Sequence, residues 1–413
     1  MLRLVSLFAL AVGAPGTDAA AAAQLRDDGS YHDGGYWATP LPWFMVALMR
    51  RDEVKAARTF CDAVADFRST GDINEWINDH GRGVPEYCAS ATMPLEGVRL
   101  LRAHLEAAGK SLPADLDRQL AEDAAWLEGR AREIVRRGSR LADNGVRMFT
   151  PDATGQYGQF WVRDWYYMIE GLPDAFAREE VRDGYLFLAA AQRADGCMPD
   201  RVRPDGKGVY SPGGEETPLS ANGSTDQSPM MVLLCHKYWE LHGDLEPFRA
   251  TAGALDRAMR FTPRNTENGL VTITDSRLFR PWSFQDMIPL EGDDLFSSVL
   301  FWDACGKLAE LYSALGDGAA AAEWRAEGAR VRAALGSLWD AAAGAFVGAS
   351  RHWPQPYVWG SAYAVYAGAA NDDQAARVAE FLDVHYDLIV KRGQIRPLLK
   401  GTFWGRPEPE YVP

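Results

Sequence analysis

The stretch GQFWVRDWYYMIEG, Gly158 to Gly171, sets an arginine and an aspartate, Arg163 and Asp164, among five aromatic rings at the start of a helical pattern. A solvated surface has no use for the rings, and an ordinary core does not tolerate the charges. A cleft that grips a polar, flat-faced ligand uses both. Sugars present apolar ring faces and a rim of hydroxyls, so their sites combine aromatic platforms with carboxylates and the two-pronged arginine fork. On that reading Arg163 and Asp164 face a cleft that Phe160, Trp161 and Trp165 wall. Taken alone, the pair also suits a structural salt bridge with a helix cap.

Recurrence separates the two readings. Six segments share the texture, each enriched in glycine, proline, aromatic or carboxylate side chains: YHDGGYWATPLPW (31–43), INEWINDHGRGVPEYCASATMP (73–94), GQYGQFWVRDW (155–165), ANGSTDQSP (221–229), PWSFQDMIPLEGDD (281–294) and HWPQPYVWG (352–360). After each comes an apolar helical pattern such as FSSVLFWDACGKLAELYSAL from Phe296, a turn such as GDG, and a second pattern such as AAEWRAEGARVRAALGSLW. The first kind is apolar around much of its circumference and belongs inside; the second has a narrower stripe at i, i+3, i+4, i+7 and belongs outside. About twelve helices in six hairpins, with a loop of one character before every inner helix, predict an all-α (α/α)6 toroid whose loops gather around one mouth. A solenoid of helical hairpins also repeats helix pairs, but does not need six such loops. Strand alternation is scarce, and GLVTITD (269–275) is expected to be a loop hairpin.

Composition bounds the function. At 413 residues with 47% hydrophobic side chains the chain can bury a large core, and residues 24–413 are expected to form one barrel domain. A net charge of −14 argues against a nucleic-acid backbone or an anionic membrane surface as partner. No run after the N-terminus approaches a membrane span, so no membrane insertion is expected. Residues 1–23, with one arginine, an apolar run from Leu4 to Ala14 and small residues near Ala21 to Ala23, outline a secretory signal, which would make the mature protein periplasmic or secreted; an ordinary apolar helix in a cytoplasmic protein is the alternative. Five scattered cysteines without a C-x-x-C read as buried thiols. No metal-ligand spacing stands out and no cofactor is implied, although calcium held by loop oxygens stays open.

The order and texture of these segments resemble the six-hairpin glycosidases, in particular the inverting group that includes trehalase, glucosidase I-like α-glucosidases and debranching-enzyme-like relatives. FWVRDWYYMIEG resembles their first-hairpin motif, and STDQSPMMVLLCHKYWELHGD is similar to a segment that lines a sugar subsite. PWSFQDMI resembles the loop that carries the general-acid aspartate, and INEWIND sits where those families place the base glutamate. The resemblance implies an oligosaccharide or glycoside substrate, Asp286 as acid beside Trp282 and Phe284, and Glu75 as base. Arg163, Asp164, Trp165, Asp226, Gln227, Tyr36, Trp37, Trp282 and Trp359 would hold the sugar.

Two departures stand out. The GGYWATP and NEWIND segments close the barrel at the C-terminus of those families but open this chain, so it looks circularly permuted, and its ends should meet at the barrel seam. Trehalase-like sequences put the aspartate directly after tryptophan, where this chain has Ser283, leaving Asp293 and Asp294 as substitutes for Asp286. Three other functions compete: an inverting disaccharide phosphorylase, which needs cationic or hydroxyl donors for phosphate; a sugar epimerase, which needs two histidines at the mouth and could draw on His32, His80 or His352; and a non-catalytic sugar-binding barrel.

Overall fold

The computed structural model describes residues 31–32, 34–210, 223–273, 284–285, 288, 290–351, 353–402 and 404. Residues 1–23, Trp282, Ser283, Asp286 and His352 lie outside the described residues. Twelve α-helices of eight residues or more follow one another among the described residues, in six consecutive pairs. These are α1 (Leu41–Leu48) and α2 (Glu53–Thr70), α3 (Cys88–Ala108) and α4 (Ala114–Arg137), α5 (Val162–Gly171) and α6 (Arg178–Ala190), α7 (Gln227–His242) and α8 (Glu246–Phe261), α9 (Leu295–Leu315) and α10 (Gly318–Ala334), and α11 (Val358–Tyr366) and α12 (Asp372–Val384).

The odd-numbered helices touch in a closed cycle, α1 to α3, α5, α7, α9, α11 and back to α1. The fold is therefore an (α/α)6 toroid rather than an open superhelix. Sequence explains which helix goes where. In α7 every residue from Gln227 to His236 is buried, so no side faces water. In α4 burial is confined to Leu116, Leu120, Asp123, Leu127, Ala131, Ile134 and Val135, one stripe of an outer helix. The outer helices also carry the plain start signals: Asp52, Asp317 and Asn371 each accept a backbone N–H of the first turn of α2, α10 and α12, a cap worth about 1 kcal/mol. Among the inner helices Asp294 caps α9 in the same way, and close approach is a further device. A Cβ on Gly171 would lie 2.4 Å from the backbone of Thr92, so only glycine lets the end of α5 lie against α3.

Among the described residues, strands are limited to short antiparallel ladders at the loops. Thr272–Ile273 pairs with Gly292–Asp293, so GLVTITD does contribute a loop ladder. Phe160–Trp161, Arg201–Val202 and Gly208–Val209 form a three-stranded sheet that leads directly into α5. The two ends of the described chain meet: the Trp37 and Ile395 backbones exchange hydrogen bonds of 2.9 and 2.8 Å, and Trp404 Nε1 donates to the His32 carbonyl at 2.9 Å. These contacts close the ring. All five cysteines are free and buried, and no helix among the described residues is long and apolar enough to cross a membrane.

Candidate active site

All six inner helices begin at the same end of the ring, and the entries to five of them, α7 excepted, line one cleft of about 690 Å³, open mouth included. The segment before α1 supplies Tyr31, His32, Trp37, Thr39 and Pro40, and α1 itself supplies Trp43. Glu75 and Tyr87 come from the segment before α3; Tyr157, Trp161, Arg163 and Asp164 come from the entry to α5. Phe284 and Trp359 complete the wall.

Two carboxylates share this space, each held by a tyrosine. Tyr157 donates to Glu75 Oε1 at 2.9 Å, and Tyr87 donates to Asp164 Oδ1 at 2.7 Å. The phenol rings lie edge to face, 6.3 Å apart. Burial, reinforced by Glu75 and Asp164, pushes both tyrosines well above the ordinary phenol range, so they remain donors. Arg163 bonds Asp226 Oδ2 through Nε at 3.0 Å and Nη2 at 2.8 Å, while its guanidinium lies 4.5 Å over the Phe284 ring. A fully buried Asp226 thus fixes the arginine from behind. Trp37 and Trp359 meet edge to face at 5.9 Å, each pinned by an indole N–H to a backbone carbonyl. His32 sits among Tyr31, Trp37, Phe284 and Trp359; burial, then the Arg163 charge, holds it well below its ordinary value and therefore neutral.

The structure brings Glu75, Arg163, Asp164, Trp37 and Trp359 into the cleft. Others from the sequence reading stand elsewhere. Trp165 is a correction: it is fully buried, stacked 4.8 Å from Phe149 and edge-on to Phe176, because two residues along a helix from Arg163 turns the side chain to the opposite face. Tyr36 is another. It alternates with Trp37 on extended backbone, and its ring faces Lys391 and Arg396 instead of the cleft. Asp226 and Gln227 back the cleft without lining it; Gln227 donates to Asp200 at 3.0 Å and to Asp226 at 3.2 Å. Neither substitute acid lines the cleft. Asp293 accepts from Asn265 and Asn268, and Asp294 caps α9, where burial pushes its carboxyl up to about 6. Asp286 and Trp282 fall outside the described residues, but their neighbour Gln285 is anchored by a bond to the Tyr357 hydroxyl.

Sequence reasoning named His32 only for an epimerase and missed Thr39, Tyr87, Tyr157 and Tyr167. One signal was available for Tyr167, which lies four residues after Arg163 on α5 and so shares its face.

No protein-family model and no curated protein matches the chain. Solved structures do. A rhamnosidase from Klebsiella oxytoca with rhamnose bound is 18% identical over 55% of this chain, with a TM-score of 0.43; the chain spans 42% of its length. A GH63 mannosylglycerate hydrolase from Thermus thermophilus is 18% identical over 62% of this chain and 76% of its own, TM-score 0.48. The GH76 α-mannanase of Bacteroides thetaiotaomicron is 11% identical over 88% of this chain and 91% of its own, TM-score 0.50. The likeness is one of fold: the chain has a six-hairpin, glycosidase-like (α/α)6 fold.

Proposed function

We propose that the protein hydrolyses a glycosidic bond, of an α-glucoside-like substrate, with inversion at the anomeric carbon. Glu75 is the general base and Asp286 the general acid. The observation that carries the proposal is the setting of Glu75: a carboxylate 3% exposed, inside an aromatic cleft, with one oxygen held by Tyr157. A base so oriented takes a proton from water on one face of the sugar while the acid protonates the leaving oxygen on the other. The two carboxyls should stand roughly 6.5–9.5 Å apart to admit that water. Arg163 and Asp164 hold sugar hydroxyls, and Trp37 and Trp359 give the ring its apolar walls.

Hydrolysis is favoured over phosphorolysis because Arg163, the one Lys or Arg among the described cleft residues, is already matched by Asp226. Epimerisation finds less support, since His32 lines the cleft but His80 is exposed.

A glycoside panel, run with and without phosphate and read by NMR for the first anomer released, tests the proposal. Inverted sugar at a phosphate-independent rate is expected. A retained anomer, or turnover only with phosphate, would defeat it. Comparing Asp286→Asn with Asp164→Asn assigns the acid: the true one loses about 10²–10⁴ in rate, and an unimpaired Asp286→Asn moves the role to Asp164.

A further inference from the structure

Four buried polar atoms facing this cleft have no hydrogen-bond partner: His32 Nδ1, Thr39 Oγ1, Trp161 Nε1 and Tyr167 Oη. Three of them belong to residues less than a tenth exposed, His32 at 2%, Thr39 at 7% and Tyr167 at 3%. A buried polar group without a partner opposes folding, so a protein retains several in one cavity where a ligand completes them. His32 and Tyr167 are also linked through the cleft's rings, and Thr39 lines the same cleft. His32 lies 6.2 Å from Phe284, Phe284 lies 6.3 Å from Trp43, and Trp43 lies 5.9 Å from Tyr167. They therefore belong to one patch of wall, contributed by the chain's N-terminal segment and by α5.

Charge defines what this patch accepts. Glu75 and Asp164 already share the cleft, and Arg163 is matched by Asp226. An additional anion would meet two carboxylates and no unmatched cation among the described lining residues. Hydroxyl groups, which both donate and accept, suit a neutral imidazole nitrogen, a threonine hydroxyl and a phenol.

We propose that His32, Thr39 and Tyr167 form a specificity-determining patch that selects a neutral, hydroxyl-rich pyranose and rejects its uronate. The inference rests on the sugar-cleft reading above and adds to it the substrate class and three residues outside the acid and base pair.

The test uses Thr39→Val and Tyr167→Phe, which delete the polar atoms and little else. D-glucose, D-mannose and D-galactose, with D-glucuronate and D-galacturonate, are titrated calorimetrically into the wild type and both variants, and the Tm of each free protein is recorded. The wild type should bind at least one hexose, about tenfold or more above the matching uronate. Each variant should lose about tenfold in hexose affinity while its own Tm is unchanged or higher, because an unpaired polar atom has been removed. A structural role would instead lower Tm. Hexose binding unchanged in both variants, or a uronate bound as well as its hexose, overturns the patch and leaves the hydrolase reading standing. A wild type that binds no sugar and cleaves no glycoside overturns both.

Discussion

The two ends of the inner ring carry the same polar chemistry to opposite effect. At the mouth, Tyr157 bonds Glu75 at 2.9 Å and Arg163 bonds Asp226 at 2.8 Å. At the far end, Tyr366 bonds Glu170 at 2.9 Å and Lys237 bonds it at 3.2 Å. Glu96, Glu170, Asp303 and Tyr366 are each the ninth residue of α3, α5, α9 and α11, which sets this second layer ~12 Å below the first at 1.5 Å per residue. The mouth encloses a cleft lined by four unpartnered buried polar atoms, whereas none of Glu96, Glu170, Lys237, Asp303 or Tyr366 has such an atom or lines that cleft. A cluster of buried charges is thus not in itself a site. What marks one is concavity together with polar groups that the protein leaves for something else to satisfy.

The strongest way to break this contrast is to neutralise one glutamate at each end. Glu75→Gln should lose about 10²–10⁴ in kcat on whichever glycoside the parent cleaves, with the unfolding midpoint nearly unchanged. Glu170→Gln should do the reverse. It removes one of the two carboxylates that hold Lys237, whose side chain is only 12% exposed and which keeps Glu240 at 3.0 Å, and losing such a charge-assisted bond costs about 2 kcal/mol in denaturant unfolding. If Glu170→Gln instead abolishes turnover in a folded protein, the lower layer belongs to the catalytic machinery and the contrast fails.

The contrast also separates what was legible in the sequence from what was not. Ring closure was legible because loop texture and helix amphipathicity repeat together, and both are local properties. Glu75, Trp37 and Trp359 were legible as mouth residues because each sits in such a loop. Orientation within a segment was not. Trp165 and Tyr167 are two residues apart on α5, yet one packs on Phe149 and the other faces the cleft. Tyr36 and Trp37 are adjacent and point to opposite sides. The lower layer left no trace, since Glu96, Lys237 and Asp303 are isolated charges in apolar helices, and only the register of five helices brings them to one depth.

A second effect tests the lower layer through pH. Burial pushes the carboxyls of Glu96 and Asp303 up to about 7, with the Glu170 charge adding to both. A carboxyl raised in the folded state contributes stability that is complete below its unfolded value and lost as pH rises through the folded one. Stability should therefore fall from about pH 4 to 8, by several kcal/mol. Glu96→Gln and Asp303→Asn should flatten that slope and keep a higher Tm than the parent at pH 8. A difference between parent and variants that does not depend on pH would remove the lower layer as its cause.

The finest comparison is between two phenols that make the same bond. Tyr157 and Tyr366 each donate to a glutamate Oε1 at 2.9 Å, one at each end of the ring. Replacing either by phenylalanine deletes one hydroxyl and keeps the ring, so the local chemistry lost is equal. In Tyr366→Phe the loss falls on folding: Glu170 keeps Lys237, and one hydrogen bond is worth about 1 kcal/mol in denaturant unfolding, with kcat unaltered. In Tyr157→Phe the proposed base, Glu75, loses its Tyr157 donor. Turnover should drop by about tenfold, the size of one such bond expressed in a rate, while hexose affinity stays within about twofold. Stopped assays and unfolding curves on the two variants decide the matter. Equal losses of stability with equal, undiminished turnover would mean that Tyr157 is scaffold like Tyr366, and that the mouth differs from the lower layer in shape alone.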